Sequence, residues 1–472
     1  MKISLSKFDY LHVLALIVIN ILLTDLISSN VIKSVLSVLP FFVLLFTYFL
    51  KSKKRFYEFF LIYLFAFPFA PRNIILVQKG MSDDTFISFI NFNVGFLSLS
   101  LLAIIFFTIL EVKKLGYLIQ MIKYFLLFIM TLMCYSIISN SGDFYLNFFI
   151  SDLKPFLIFF FGFFSGLCIW KRYNVEWNQM FFKIVYILLL IYFTKTIFYI
   201  LYDSFTNVYN TSFSTLPYFF IPVLFLAFFQ KKMMKRNFIM LAAIISSFSL
   251  SRGYFIMIGV LYLILPVFFT NFTNLKKVFA SYILFSFLGF LILSFSHLFL
   301  SEKINVFLQY KLNFFTSEIF KENVELNRST LIRVYEFKNI MYDSLVSPIY
   351  LFLGKGLGGY FEFRQYQLPT YLGVDAFSHK QLELNKFFRP HTFFNVALLK
   401  GGLLLLILYS KKCISIFLYS RKVFKRNKKD IFIVFAGIFS LLFFFFFWIP
   451  EFLFLDGLIL GYVKCHRKNN FL

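Results

Sequence analysis

Residues 431–449 read IFIVFAGIFSLLFFFFFWI, a run of nineteen residues without a charged side chain. A helix of about 20 apolar residues crosses the ~30 Å hydrocarbon core of a bilayer. The segment before this run, 421–429, reads RKVFKRNKK and is strongly basic. Because positively charged loops face the cytoplasm, the two segments together predict a membrane span that begins on the cytoplasmic side.

The same pattern extends over the whole chain of 472 residues. Hydrophobic residues make up 60% of it and charged residues 15%, whereas soluble domains have about 45–50% and about 25%. This composition excludes a soluble enzyme, a disordered chain and a disulfide-rich secreted module. It predicts an all-α polytopic membrane protein with about 12–14 transmembrane helices. The candidate spans lie at 8–28, 31–50, 56–77, 86–110, 117–138, 153–170, 181–202, 215–230, 237–250, 254–272, 278–299, 392–410, 431–449 and 452–463.

The positive charge of the chain follows the same alternation. A net charge of +25 is large enough to attract nucleic acid. The lysines and arginines, however, fall in alternate loops such as 51–55, 231–236 and 411–429, while the loops at 139–152 and 203–214 contain none. This distribution is typical of membrane topology, so we expect both termini in the cytoplasm and no nucleic-acid partner.

One long segment, 300–391, contains no convincing span and lies on the side opposite the basic loops. It divides the chain into an N-terminal transmembrane bundle at 1–299, a large periplasmic loop at 300–391 and C-terminal transmembrane helices at 392–472. A loop of this length is usually functional or disordered, and its content of Phe, Tyr, Leu and Ile argues against disorder.

Apolar residues recur at helical spacing twice within this loop. The pattern in 301–320 predicts an amphipathic helix at the membrane surface. Leu331, Val334, Tyr335, Tyr342 and Leu345 predict a second helix over 328–346. The stretch 348–361 is rich in Pro and Gly and predicts turns.

Two arginines are candidates for binding an anion within the membrane. Arg252 follows the short predicted helix 237–250, which spans only about 21 Å. We therefore expect Arg252 below the outer surface, at a break between helices, where an arginine is costly unless it meets an anion such as a lipid-linked phosphate. Snorkelling to the interface is the alternative. Arg72 follows two prolines near the outer face and is a second candidate contact.

The predicted helix 328–346 carries a second pair of arginines. Arg328 and Arg333 are five residues apart and therefore do not share one face, so one can point at substrate and the other at solvent. A local ion pair between Arg333 and Glu336 is the alternative, and it would stabilise the helix by only a few tenths of a kcal/mol.

The end of the loop holds the remaining candidates. The run 354–359, GKGLGG, has no strand before it and so does not fit a nucleotide-binding motif. Its amides, with Lys355 and Gly356, form either an anion nest or a plain turn. His391 lies where span 392–410 begins, and histidine changes its charge near physiological pH. It is a candidate to take a proton from an acceptor hydroxyl, with a hydrated interfacial histidine as the alternative. Arg389 is a further candidate substrate contact.

Taken in order, these motifs resemble those of the O-antigen polymerase (Wzy-type) and O-antigen ligase superfamily. The matching positions are Arg252, Arg333, the aromatic Phe337 four residues later, the glycine run 354–359, His391 and Gly401. The resemblance covers residues 237–410, and the first eight spans match only in hydropathy. The family often has Asn directly after the His and commonly has Trp as the aromatic, whereas this chain has Thr392, with Asn395 three residues later, and Phe337.

The resemblance implies a GT-C-like glycosyltransferase embedded in the bacterial inner membrane. Its donor would be a saccharide on undecaprenyl pyrophosphate. Arg252 and Arg333 would hold the leaving pyrophosphate, and His391 would orient or deprotonate the acceptor hydroxyl, with inversion at the anomeric centre. The resemblance implies no metal and no cofactor. The candidate partners are the lipid-linked oligosaccharide, membrane lipid and a chain-length regulator protein.

Three functions remain open at this point. We predict a polymerase that joins lipid-linked repeat units on the periplasmic face. An O-antigen ligase, which moves the finished glycan to lipid A core, shares the motifs. A lipid-linked oligosaccharide flippase or another transporter belongs to a different class, and it would need charges along a central path and usually short loops.

Overall fold

The computed structural model describes residues 7–21, 53–66, 93–94, 97–98, 117–140, 145–202, 328–368, 377, 379–426, 430–442 and 450–469. Its helices are α1 (Lys7–Ile21), α2 (Lys53–Ala66), α3 (Tyr117–Ser139), α4 (Leu146–Tyr202), α5 (Arg328–Val346), α6 (Pro348–Leu353), α7 (His379–Leu384), α8 (Phe393–Arg426), α9 (Ile431–Leu442) and α10 (Pro450–Asn469). Strands β1 (Asn93–Val94) and β2 (Leu97–Ser98) pair antiparallel. The spans predicted at 31–50, 215–230, 237–250, 254–272 and 278–299 and the helix predicted at 301–320 lie outside the described residues.

Three segments of these helices are long and apolar enough to cross a membrane. They are Ile122–Ser139, Leu146–Lys171 and Phe393–Arg426. Two shorter apolar helices, Trp177–Ile191 and Phe432–Leu442, accompany them. A mostly helical chain with such segments agrees with the coarse form of the sequence prediction, a helical membrane protein.

Several predicted boundaries are wrong. Helix α4 continues through the loop expected between spans 153–170 and 181–202, because 171–180 contains no Gly or Pro to stop it. Helix α8 likewise continues past the expected end at 410 to Arg426 and bends at Gly402, whose φ is 59°. The span expected at 86–110 contains the β1–β2 hairpin, in a segment whose Asn and Gly are poor helix formers.

The chain divides into two compact units. The first comprises Met1–Leu36, Glu58–Phe86 and Gln179–Leu326, and the second comprises Ser37–Tyr57, Ile87–Asn178 and Asn327–Leu472. Within the first unit, Lys183 forms an ion pair with the buried Glu58 at 2.7 Å. A lysine within a predicted span thus has a carboxylate partner. The candidate site described below lies entirely within the second unit.

Helices α4 and α10 approach each other closely within the second unit. Each has two glycines four residues apart: Gly162 and Gly166 in α4, and Gly457 and Gly461 in α10. A Cβ atom at Gly162 would lie 2.2 Å from the carbonyl oxygen of Phe454, and one at Gly457 would lie 2.0 Å from that of Phe159. Only glycine permits this approach, which is typical of small-residue packing between membrane helices.

The predicted helix at 328–346 is confirmed as α5, but none of the five apolar residues whose spacing predicts it is buried. Val334 and Tyr342 are exposed, and Leu345 is 68% exposed. The buried residues are instead Ile332, Glu336, Asn339, Ile340 and Ser344. The polar members of this face form hydrogen bonds, which offset the cost of burying them.

Helix α6 takes up the first part of the segment 348–361, where the sequence predicts turns. Pro348 is at its first position, where the fixed φ of proline favours a helix start. Helix α6 packs against both α5 and α8. It thereby brings the glycine run that follows it to the side of α8.

Candidate active site

His391 lies immediately before α8. The hydroxyl of Thr392 accepts a hydrogen bond from the backbone N–H of Asn395 at 3.1 Å, which caps the helix. The side chain of His391 is 35% exposed, and the ring of Phe377 packs against it at 5.1 Å between centroids. The start of the apolar helix therefore presents an accessible imidazole.

The imidazole of His391 is bonded to the carboxylate of Glu336. Glu336 is completely buried. Its Oε1 lies 2.5 Å from Nδ1 of His391, and its Oε2 accepts the backbone N–H of His391 at 3.0 Å. An ionised carboxylate can only accept, so with Glu336 ionised and the ring neutral this contact assigns the proton to Nδ1. Nε2 is then an acceptor, and it meets no hydrogen-bond partner among the described residues.

Asn395 links the two sequence motifs that lie 62 residues apart. Its Nδ2 donates to the carbonyl oxygen of Arg333 at 3.0 Å and to Oε2 of Glu336 at 3.3 Å. The side chain of Arg333 is exposed. Within the described part of the chain no carboxylate pairs with Arg333, because Glu336 is bound to His391 and Asn395 instead. We call Arg333, Glu336, His391 and Asn395 the His391 cluster.

The aromatic residue of the arginine motif lies beside this cluster. The rings of Phe337 and Phe394 are 5.9 Å apart, and both are exposed. Phe337 follows Glu336 on α5, and Phe394 follows His391 by three residues. Two exposed aromatic rings on α5 and α8 therefore lie against each other close in sequence to Arg333 and His391.

The run 354–359, here called the glycine turn, has a different role. Gly354, Gly356 and Gly358 have φ of 68°, 77° and 77°, a region that residues with a Cβ rarely adopt. The N–H of Leu357 donates to Oγ of Ser136 at 2.9 Å, and that of Gly358 donates to Oδ2 of Asp152 at 2.8 Å. Helices α3 and α4 therefore hold the turn through its amides.

The carbonyl groups of the glycine turn are held as well. The carbonyl oxygen of Gly354 accepts the hydroxyl of Tyr135 at 2.6 Å. That of Lys355 accepts Ser139 Oγ and Asn140 Nδ2, both at 2.8 Å. Protein atoms accept from the N–H groups of Leu357 and Gly358 and donate to the carbonyl oxygens of Gly354 and Lys355, which favours a built structural turn over an anion nest.

Lys355 points back to α5. Its ammonium lies 2.6 Å from Oδ2 of Asp343 and donates to the carbonyl oxygen of Tyr360 at 3.0 Å. Both partners belong to the protein, so this cation is held in place by the loop. Contact of Lys355 or Gly356 with substrate stays a prediction.

A buried ion pair supports the glycine turn. The ammonium of Lys400 on α8 bonds to Oδ2 of Asp152 on α4 and donates to the carbonyl oxygen of Gly359 at 2.6 Å. Both side chains are only 1% exposed. Oδ1 of Asp152 is buried and has no hydrogen-bond partner in the described part of the structure. The pair joins two candidate spans to the turn.

Of the remaining predicted residues, the structure describes the side chain of Arg389, which is not part of the His391 cluster. Arg389 is exposed, and its guanidinium bonds to the carbonyl oxygen and hydroxyl of Ser151. Arg328 is the first residue of α5, and its side chain lies outside the described part. Arg252 and Arg72 lie outside the described residues. Their roles stay predictions.

Two residues of the cluster were not singled out from the sequence as functional. Glu336 lies four residues after Ile332 and four before Ile340, so a carboxylate occupies an apolar stripe of α5. This placement is a signal that sequence reasoning can use. Asn395 gave a weaker signal, because its importance depends on contacts with a helix 62 residues away.

No protein-family model, curated protein or solved structure matches this chain. Across the residues that the structure describes, no group of three or more His, Cys, Asp or Glu is placed to hold a metal ion.

Proposed function

We propose that this protein is a polysaccharide polymerase of the bacterial inner membrane, joining undecaprenyl-pyrophosphate-linked oligosaccharide units on the periplasmic face. The observation that carries the proposal is the His391 cluster. It presents an accessible imidazole, whose Nδ1 is bonded to a buried carboxylate, next to a helix with an accessible arginine.

Transfer of a glycan from a pyrophosphate carrier makes two chemical demands. A proton must leave the acceptor hydroxyl, and negative charge must be stabilised on the departing pyrophosphate. His391 meets the first demand, because Nε2 has a lone pair when Nδ1 carries the proton. Arg333 meets the second with a permanent positive charge. The new bond forms at the anomeric carbon as its bond to the pyrophosphate oxygen breaks, with Arg252 proposed as a second cation.

The position of the cluster suits a donor that is anchored in lipid. His391 directly precedes α8, one of the candidate spans. A polyprenyl chain in the bilayer presents its pyrophosphate at the interface, near the end of such a span. The basic loops on the opposite side of the chain support a periplasmic location for this end.

The experiment is a gel of surface lipopolysaccharide from a strain deleted for the gene, complemented with wild-type protein, His391→Ala or the control His379→Ala. For the deletion and for His391→Ala we expect core that carries a single repeat unit, without a ladder. General-base catalysis is worth about 100- to 10,000-fold. His379→Ala, at a second histidine of the same loop, should restore the ladder.

Other patterns on this gel would contradict the proposal. Bare core with long lipid-linked glycan accumulating on the outer face would indicate the ligase. Bare core with short lipid-linked units retained inside would indicate the flippase. A full ladder from His391→Ala at normal protein level would remove His391 from the reaction.

A further inference from the structure

We infer that Glu336 is a positioning residue for the transfer reaction, holding His391 in one orientation and one tautomer. This inference rests on the proposed function. The carboxylate makes two bonds to the same residue, one to the ring Nδ1 at 2.5 Å and one to the backbone N–H at 3.0 Å. A ring bonded in this way cannot turn over without losing the short contact.

The orientation decides which nitrogen meets the acceptor. With Nδ1–H directed at Glu336, the lone pair of Nε2 is directed away from the buried carboxylate. When Nε2 takes a proton, the ring becomes a cation beside a buried anion. The carboxylate therefore also stabilises the charge that proton transfer creates, which is the role of the third group in a nucleophile–base–acid arrangement.

Among the described residues, the carboxylate of Glu336 is the charged group that contacts the ring. Its other neighbour is the neutral amide of Asn395, which donates to Oε2 at 3.3 Å. Arg333 contributes its backbone carbonyl to Asn395, while its guanidinium is exposed. Arg389, two residues before His391, is bonded to Ser151.

Other buried polar residues of α5 serve the fold, which sets Glu336 apart. The side chain of Asn339 bonds to both backbone groups of Tyr366, at 2.9 and 3.1 Å. The hydroxyl of Ser344 bonds to the carbonyl oxygen of Ile340 at 2.8 Å. These contacts fix main chain. Glu336, although completely buried, bonds to the side chain of an accessible residue.

The test uses purified full-length protein in lipid vesicles and lipid-linked oligosaccharide extracted from membranes of the deletion strain. Glu336→Gln keeps the size of the side chain and removes its charge. We expect kcat to fall about 100-fold or more, since loss of the orienting carboxylate costs up to about 10,000-fold in a comparable triad. KM should change less than about 3-fold, because substrate binding is not altered.

A double variant separates positioning from a structural role. If Glu336 acts through His391, Glu336→Gln combined with His391→Ala should be no slower than His391→Ala alone. Glu336→Asp, which keeps the charge, should recover part of kcat. The control Asn339→Ala should lower thermal stability while kcat per folded molecule stays unchanged.

Each outcome bears on a different statement. Normal kcat in Glu336→Gln with an inactive His391→Ala would overturn the inference and leave the proposed function intact. A further loss in the double variant, or an unstable Glu336→Gln with no recovery in Glu336→Asp, would also overturn it in favour of a structural role. Failure of the wild-type protein to extend the extracted oligosaccharide would overturn the proposed function and, with it, the inference.

Discussion

Glu336 and Asp152 are both buried carboxylates, and each binds a residue near the start of α8. Asp152 binds the ammonium of Lys400, which is itself buried, and the amide of Gly358. Glu336 binds His391, which is accessible. Asp152 therefore bonds to buried partners, whereas Glu336 bonds to an accessible side chain.

This difference distinguishes a structural carboxylate, Asp152, from one that we propose acts in the reaction, Glu336. A buried charge is tolerated when its partners compensate the loss of water. Around Asp152 the partners are structural, and they fasten the glycine turn to α4 and α8. Around Glu336 the partner is the imidazole of His391, which is accessible. Exposure of the partner, more than burial of the carboxylate, is what distinguishes the site of the proposed reaction.

The largest effect on stability should come from Lys400→Ala. The change leaves Asp152 buried without its counter-charge and removes the bond to Gly359, which should lower the free energy of unfolding by about 3–5 kcal/mol. Unfolding of the protein in detergent micelles measures this. Lys411→Ala, at an exposed position of the same helix, should change it by less than about 0.5 kcal/mol. A cost below about 1 kcal/mol for Lys400→Ala would show that the pair does not hold the turn.

Arg333→Ala should produce an effect of similar size on the reaction and almost none on stability. Removal of one charge-stabilising donor typically costs about 100- to 1,000-fold in rate, or roughly 3–4 kcal/mol. Polymerisation of the extracted oligosaccharide measures this loss. Lys338→Ala, which removes another exposed cation of α5, is the matched control and should retain activity. Equal losses for the two variants would assign the effect to general positive charge.

A smaller effect is expected for Gly358→Ala. The residue has φ of 77°, and an added Cβ would lie 3.1 Å from the backbone nitrogen of Phe149. The left-handed conformation costs an alanine about 1–2 kcal/mol, so the midpoint of thermal unfolding should fall. Activity per folded molecule should stay unchanged, because the turn is structural. A stable but inactive Gly358→Ala would instead indicate that the glycine turn contacts the substrate.

The helices were easier to predict from the sequence than their faces. Apolar spacing predicts a helix over 328–346, and α5 has those bounds. The spacing does not identify the buried face, because hydropathy gives no reason to expect Glu336 and Asn339 in the interior. Their burial depends on hydrogen bonds to His391 and Tyr366, and a pattern within one helix does not contain these partners.

The role of the glycine turn is even harder to predict from the sequence. Its composition predicts a turn, but not whether the amides face a ligand or the protein. The answer depends on Ser136, which bonds to a residue 221 positions further along, and on Asp152, which lies 206 positions from Gly358. Contacts at such separations follow from how helices pack, and a single sequence does not reveal them.

The close packing of α4 against α10 has a consequence for synthesis of the chain. Gly457 emerges from the ribosome 295 residues after Gly162, a delay of about 15–60 s at ~5–20 residues per second. During that time the small-residue face of α4, on the helix that carries Asp152, has no α10 to pack against and is open to lipid or to other helices. The packing of α4 is thus completed only after α10 has been synthesised, which makes this interval the stage at which mispairing and capture by membrane proteases compete with folding.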